Sequence, residues 1–165
     1  MNGNKKGYTL IEIIASISLI LLIVPILFQC IIMVTDFQRR HEDNILLFEI
    51  REETRRFIEK EAFRANDLKW IKDDKKLLIY YQYYDKDWKH TDSINSINFM
   101  SATKKLFFNT GAFNGGYEFA DYVVDFKLIE KTERNAVIYV KFAKGREVKI
   151  LNQKIFFKKR REEKF

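Results

Sequence analysis

The stretch Lys5-Lys6-Gly7-Tyr8-Thr9-Leu10-Ile11-Glu12 opens without a break into an apolar run from Ile13 to Val34. That run is 22 residues long and is interrupted by only three polar residues, Ser16, Ser18 and Gln29. As a helix rising about 1.5 Å per residue it would extend about 33 Å, enough to cross the hydrocarbon core of a bilayer. Ser hydroxyls in such a helix can bond to carbonyls one turn earlier, so they are inexpensive there. Pro25 predicts a local bend, because it removes one hydrogen bond and crowds the preceding turn. Two lysines before the run and none within it predict a cytoplasmic N-terminus and an extracytoplasmic remainder.

A cleaved secretory signal is the first alternative. The run is longer than a typical signal core, and no small-residue cleavage site follows it, so an N-terminal anchor fits better. Glu12 is the informative residue. A carboxylate at the edge of an apolar helix is costly and needs either a charged partner or a route to the headgroups by snorkelling. Cys30 lies near the far end of the run and reads as a small packing or lipid-facing residue.

The remaining composition sets limits. The chain has 165 residues, enough for one anchor and one modest domain. Its mean hydropathy of −0.31 averages an apolar anchor with strongly charged material. A single Cys excludes an internal disulfide, and one Cys with two His excludes a zinc site built from four such ligands. Neither a nucleophile elbow, a zinc-protease helix, a CxxC pair nor a phosphate-binding Gly loop occurs. Asp85, Asp87 and Asp92 do not match the spacing of a calcium loop. His41 and His90 are flanked by charges and read as exposed. No catalytic residue, metal ligand or cofactor is therefore expected, and the chain is read as a structural protein rather than an enzyme.

From Phe37 to Ala65 the pattern is an amphipathic helix. Leu47, Ile50, Thr54, Phe57, Ile58 and Ala62 share one face, and Glu52 with Arg56 forms an expected i,i+4 pair. No Gly or Pro separates this stretch from the apolar run, so one long helix is expected, with fraying possible between Asp36 and Asp43. After Asn66 the chain turns to β patterns: Leu77 to Tyr84, Ser96 to Phe99, Lys105 to Phe108, Tyr122 to Leu128, and a hairpin of Ala136 to Phe142 and Glu147 to Phe157 around Lys144-Gly145-Arg146. Tyr122, Val124, Phe126 and Leu128 are expected on one face. Asn114-Gly115-Gly116 reads as a turn. The fold class is α+β, a long N-terminal helix packed on an antiparallel sheet.

The ordered set of Lys5-Lys6-Gly7, Tyr8-Thr9-Leu10-Ile11-Glu12 and the apolar run closely resembles the leader of type IV prepilins and pseudopilins. The resemblance implies a pilin-like fold, cleavage after Gly7 by a prepilin peptidase, and N-methylation of the new terminal residue, Tyr8. Tyr stands where the family usually has Phe. It also implies that Glu12 pairs with the terminal amine of an adjacent subunit during assembly. The segments are then a leader (1–7), a transmembrane helix (8–35), its amphipathic continuation (36–65) and a β-sheet domain (66–165).

Downstream, the Leu46 to Glu53 region and the run from Val123 through Val140 to the Gly145 hairpin are similar to competence-pilus minor pilins of Gram-positive bacteria, of the ComGF type. This resemblance implies a minor subunit of a type IV pilus-like or competence pseudopilus serving DNA uptake, at the membrane and then the cell surface. Its partners would be other major and minor pilins. The alternatives are a pseudopilin of a type II-like protein secretion system, or an adhesin or DNA-binding module on a pilin anchor. Beyond the apolar run, 28 Lys and Arg face 22 Asp and Glu. Much of the excess sits at Lys158, Lys159, Arg160 and Arg161, a candidate for weak electrostatic contact with DNA or with another acidic polymer. The Tyr80 to Tyr84 strand reads as a sheet face before a base-stacking platform.

Overall fold

The computed structural model describes residues 9–84, 90–111 and 116–158. One helix, α1 (Leu10–Arg64), precedes eight strands: β1 (Asp67–Ile71), β2 (Lys76–Tyr84), β3 (His90–Met100), β4 (Lys105–Asn109), β5 (Gly116–Ala120), β6 (Val123–Lys131), β7 (Asn135–Lys144) and β8 (Glu147–Phe156). The helix runs unbroken through Pro25 and through the charged stretch Asp36 to Asp43, so the expected fraying does not occur. The chain divides into two compact units, residues 1–41 and 42–165.

In the first unit every described residue, Thr9 to His41, is exposed. In the second, the helix buries Leu47, Thr54, Ile58, Glu61 and Ala62, with Ile50 and Phe57 partly buried against the core. This is the apolar stripe read from the sequence, with one addition: Glu61, whose carboxylate the charge pattern gave no reason to bury. The expected Glu52–Arg56 pair is not the one formed. Glu52 instead receives Arg51 at 2.8 Å and Arg55 at 3.0 Å, and Arg55 reaches on to Glu59 at 3.0 Å. An arginine three residues away meets the carboxylate as readily as one four residues away, and Arg55 is shared by two carboxylates.

The helix packs on antiparallel β-structure, as expected for the α+β class, and the strands divide into two sheets. Strands β1 to β5 follow one another in a five-stranded meander, and β6, β7 and β8 form a three-stranded one. The division falls at Asp121-Tyr122. Tyr122 has a φ of 58°, a left-handed backbone that is uncommon for a non-glycine residue. Its N–H donates to Oδ1 of Asp121 at 2.6 Å, and the carbonyl of Tyr122 accepts from the Ala143 N–H at 2.9 Å. A register shift between Val123 and Asp125 follows. It changes the expected face: Val123 and Phe126 are buried, whereas Val124 is 36% exposed. A bulge adds a residue to one strand and so breaks the strict alternation.

Both sheets feed one core with the helix. Leu68, Leu77, Ile79, Ile97 and Leu106 come from the first sheet, and Phe126, Ile138, Val140, Phe142, Leu151 and Ile155 from the second. The β7–β8 hairpin closes where expected, with Lys144 opposite Glu147 and Gly145 at φ 58°. The expected turn at Asn114-Gly115 lies outside the described residues.

Candidate functional site

The candidate site is the first turn of α1. Thr9 stands before the helix, and three bonds join it to Glu12. The Thr9 N–H donates to Oε2 of Glu12 at 2.8 Å, the Thr9 hydroxyl donates to the same oxygen at 3.1 Å, and the Glu12 N–H donates to Oγ1 of Thr9 at 3.4 Å. This reciprocal arrangement is a capping box, in which residue types S/T-x-x-E satisfy two otherwise orphaned backbone donors. A carboxylate in the first turn also faces the positive end of the helix dipole. Such a cap contributes about 1 kcal/mol to helix stability. The sequence reading gave Glu12 a neighbouring amine or the headgroups as its partner; the structure gives it one within the chain. Gly7 and Tyr8 lie outside the described residues.

Downstream of the cap, hydroxyls return to the helix as anticipated. Ser16 Oγ donates to the Glu12 carbonyl at 2.7 Å, Ser18 to that of Ile14 at 2.9 Å, and Thr35 to that of Ile31 at 2.8 Å. The hydroxyls of the apolar run, Ser16 and Ser18, are thereby satisfied within the helix, as a lipid environment favours. The side chains from Leu10 to Val34 are left as a continuous exposed apolar surface, with Leu10 75% and Ile32 63% exposed. Soluble monomers rarely present a contiguous apolar patch of that kind. The helix is long and apolar enough to cross a membrane. Cys30 is exposed on the same surface.

The other candidates are scattered. Lys158 donates its backbone N–H to the Ala65 carbonyl at 2.8 Å, fastening the end of the second sheet to the end of the helix, and its side chain is exposed. Lys159, Arg160 and Arg161 lie outside the described residues, as do Asp85 and Asp87. His41 is exposed beside Phe37, and His90 pairs with Tyr84 across β2 and β3. Of the tyrosine run, Tyr81 turns inward, where its hydroxyl donates to Oε2 of Glu61 at 2.8 Å. Burial, then this bond and the negative charge of Glu61, push the Tyr81 phenol well above its ordinary pKa.

No known family, no curated protein and no solved structure matches the chain.

Proposed function

We propose that this chain is a minor pilin-like subunit, anchored in the membrane by α1 and assembled into a type IV pilus-like or competence pseudopilus, with DNA uptake as its role. The observation that carries the reading is the combination at the N-terminus: the leader-like Lys5 to Glu12 stretch runs into a helix whose Ile13 to Val34 stretch is exposed and almost entirely apolar, and the same helix continues as the spine of a folded domain. A membrane subunit that must leave the bilayer and join a fibre needs those properties together. The anchor must be soluble in lipid and then stack with other apolar helices, while the domain keeps its own core.

In this reading the domain lies outside the cytoplasmic membrane and the leader inside it. Cleavage after Gly7 releases an amine on Tyr8, one residue before the Thr9–Glu12 box, and that residue is then N-methylated. During assembly Glu12 exchanges its bonds with Thr9 for the amine of a neighbouring subunit, so the box holds the carboxylate satisfied until a partner arrives. Other pilins supply the partners along the apolar helix, and DNA meets the basic tail.

Mass spectrometry of the protein extracted from membranes of cells with a prepilin peptidase tests the reading. Loss of seven residues and a methylated Tyr8 are expected. Protein that retains Met1 to Gly7 in those cells contradicts it, and a bulky residue at position 7 should block the cut.

A further inference from the structure

A second site lies far along the chain, on the first sheet. A cleft of about 360 Å³ opens beside β1, β2 and β3, within the range of roughly 300–1,000 Å³ typical of small-molecule sites. Strand register builds it. Tyr80 and Gln82 are alternate residues of β2 and so face the same way. Asp67 of β1 stands opposite Tyr80, and Asp92 of β3 stands opposite Gln82. A ring and an amide are thus each flanked by a carboxylate. Asn66 joins them: its Oδ1 accepts the Gln82 backbone N–H at 2.7 Å, which leaves its NH₂ as a donor. Lys131, from the second sheet, closes the cleft and donates to Oδ1 of Asp67 at 2.7 Å.

The chemistry of this lining selects a ligand class. Among the described lining residues two carboxylates, Asp67 and Asp92, stand beside two lysines, Lys69 and Lys131, so the lining is not the uniformly basic surface that a polyanion such as DNA needs. Tyr80 supplies an aromatic surface with a polar tip. Among the described residues, neither its hydroxyl nor the Gln82 side-chain amide has a hydrogen-bond partner. Carboxylate oxygens accept from hydroxyl donors, while the amide groups both donate and accept. A ring with one C–H-rich face and a rim of hydroxyls satisfies all of these at once. We propose that the cleft binds a neutral sugar ring of a glycan, with Tyr80 under the ring and Gln82 and Asn66 on its hydroxyls. This inference does not rest on the assembly role.

Isothermal titration of the full chain in a detergent that carries no sugar headgroup tests it, with chitotetraose and maltotetraose as probes and a DNA oligonucleotide as control. Saturable binding of at least one tetrasaccharide is expected, unchanged within twofold by about 0.5 M NaCl, because screening acts on charge and not on stacking. Tyr80→Ala and Gln82→Ala should each weaken it about tenfold, equal to about 1.4 kcal/mol, whereas Tyr80→Phe should retain most of it. Gln82→Ala removes a half-buried side chain without touching the core, so it remains decisive should Tyr80→Ala fail to fold. Failure of both sugars to bind saturably, or binding that a folded Gln82→Ala chain keeps in full, overturns the proposal. So does binding of DNA at this cleft in place of sugar.

Discussion

A β-carbon on Gly145 would lie 3.2 Å from Oδ2 of Asp43, whose other oxygen receives the Lys144 ammonium at 3.0 Å. The β7–β8 turn is therefore seated directly on the helix, at the first residues of the folded unit. Lys144 also lies over the Tyr122 ring, 5.2 Å from its centroid. The hydrogen bond with Asp43 is the main cause that raises the Lys144 pKa.

Gly145→Ala should destabilise the folded unit by about 1–2 kcal/mol, because a left-handed backbone is costly for a residue with a β-carbon and Asp43 must also shift. Asp43→Asn should have a much smaller effect, since the ion pair is partly solvated. Urea unfolding followed by the tryptophan signal distinguishes the two. Equal losses in both variants would show that the turn is held by the charge and not by the backbone.

The partly buried Tyr81–Glu61 pair predicts loss of stability in alkali. An unfolded tyrosine releases its proton near pH 10, while folded Tyr81 retains it above that value. The unfolded chain then binds fewer protons, so the contribution is full below about pH 10 and declines as pH rises, by at most about 1.4 kcal/mol per pH unit. Tyr117 shifts in the same direction, through burial first and then the Glu61 charge, and adds to the slope. Tyr81→Phe should cost roughly 1.5–3 kcal/mol at neutral pH by leaving Glu61 unpaired, and it should flatten the dependence between pH 9 and 11. An unchanged slope would assign the alkaline loss to other groups.

How far the fold can be read from the sequence depends on the range of the cause. Leu47, Ile58 and Ala62 declare themselves by helical spacing, and Gly145 by the turn it allows between two β patterns. Glu61 does not, because its partner Tyr81 is twenty residues away on another element and a carboxylate among lysines and arginines looks solvated. The division into two sheets rests on the positive φ of Tyr122 and the shift at Val123, which no composition marks. The Thr9–Glu12 box is legible in principle, since T-x-x-E before an apolar run is the capping signature, but a charge at the edge of an apolar helix equally calls for an ionic partner or the headgroups. The cleft at Tyr80 needs strand register, and register is set by the whole sheet.

The cap made by Glu12 and its proposed pairing with a neighbouring amine can be divided by separate substitutions. Thr9→Val removes the two hydroxyl bonds of the box and leaves the carboxylate with the backbone N–H of residue 9; Glu12→Ala removes the carboxylate and all its bonds. Each should cost the helix about 1 kcal/mol as a lost cap, with insertion intact because it depends on the apolar run. If Glu12 pairs with a neighbouring amine, only Glu12→Ala should deplete the subunit from sheared fibres. Matching amounts of both variants in the fibre fraction would leave Glu12 as a cap alone.

The basic tail gives a prediction in salt. Contact of Lys158, Lys159, Arg160 and Arg161 with DNA would release counterions from the phosphates. The logarithm of affinity should then fall linearly with the logarithm of salt, with up to about 0.9 in slope for each phosphate neutralised. Replacing all four with glutamine should reduce that slope by at most about 3.6 and leave the thermal midpoint almost unchanged, since Lys158 engages the fold through its backbone N–H. Filter binding of the purified chain between low and moderate salt measures the slope, and transformation frequency measures the role. Suppose the substituted tail leaves both the slope and DNA uptake as they were. The positive excess is then a property of the surface, and the proposed role in transport rests on building the fibre and not on gripping the cargo.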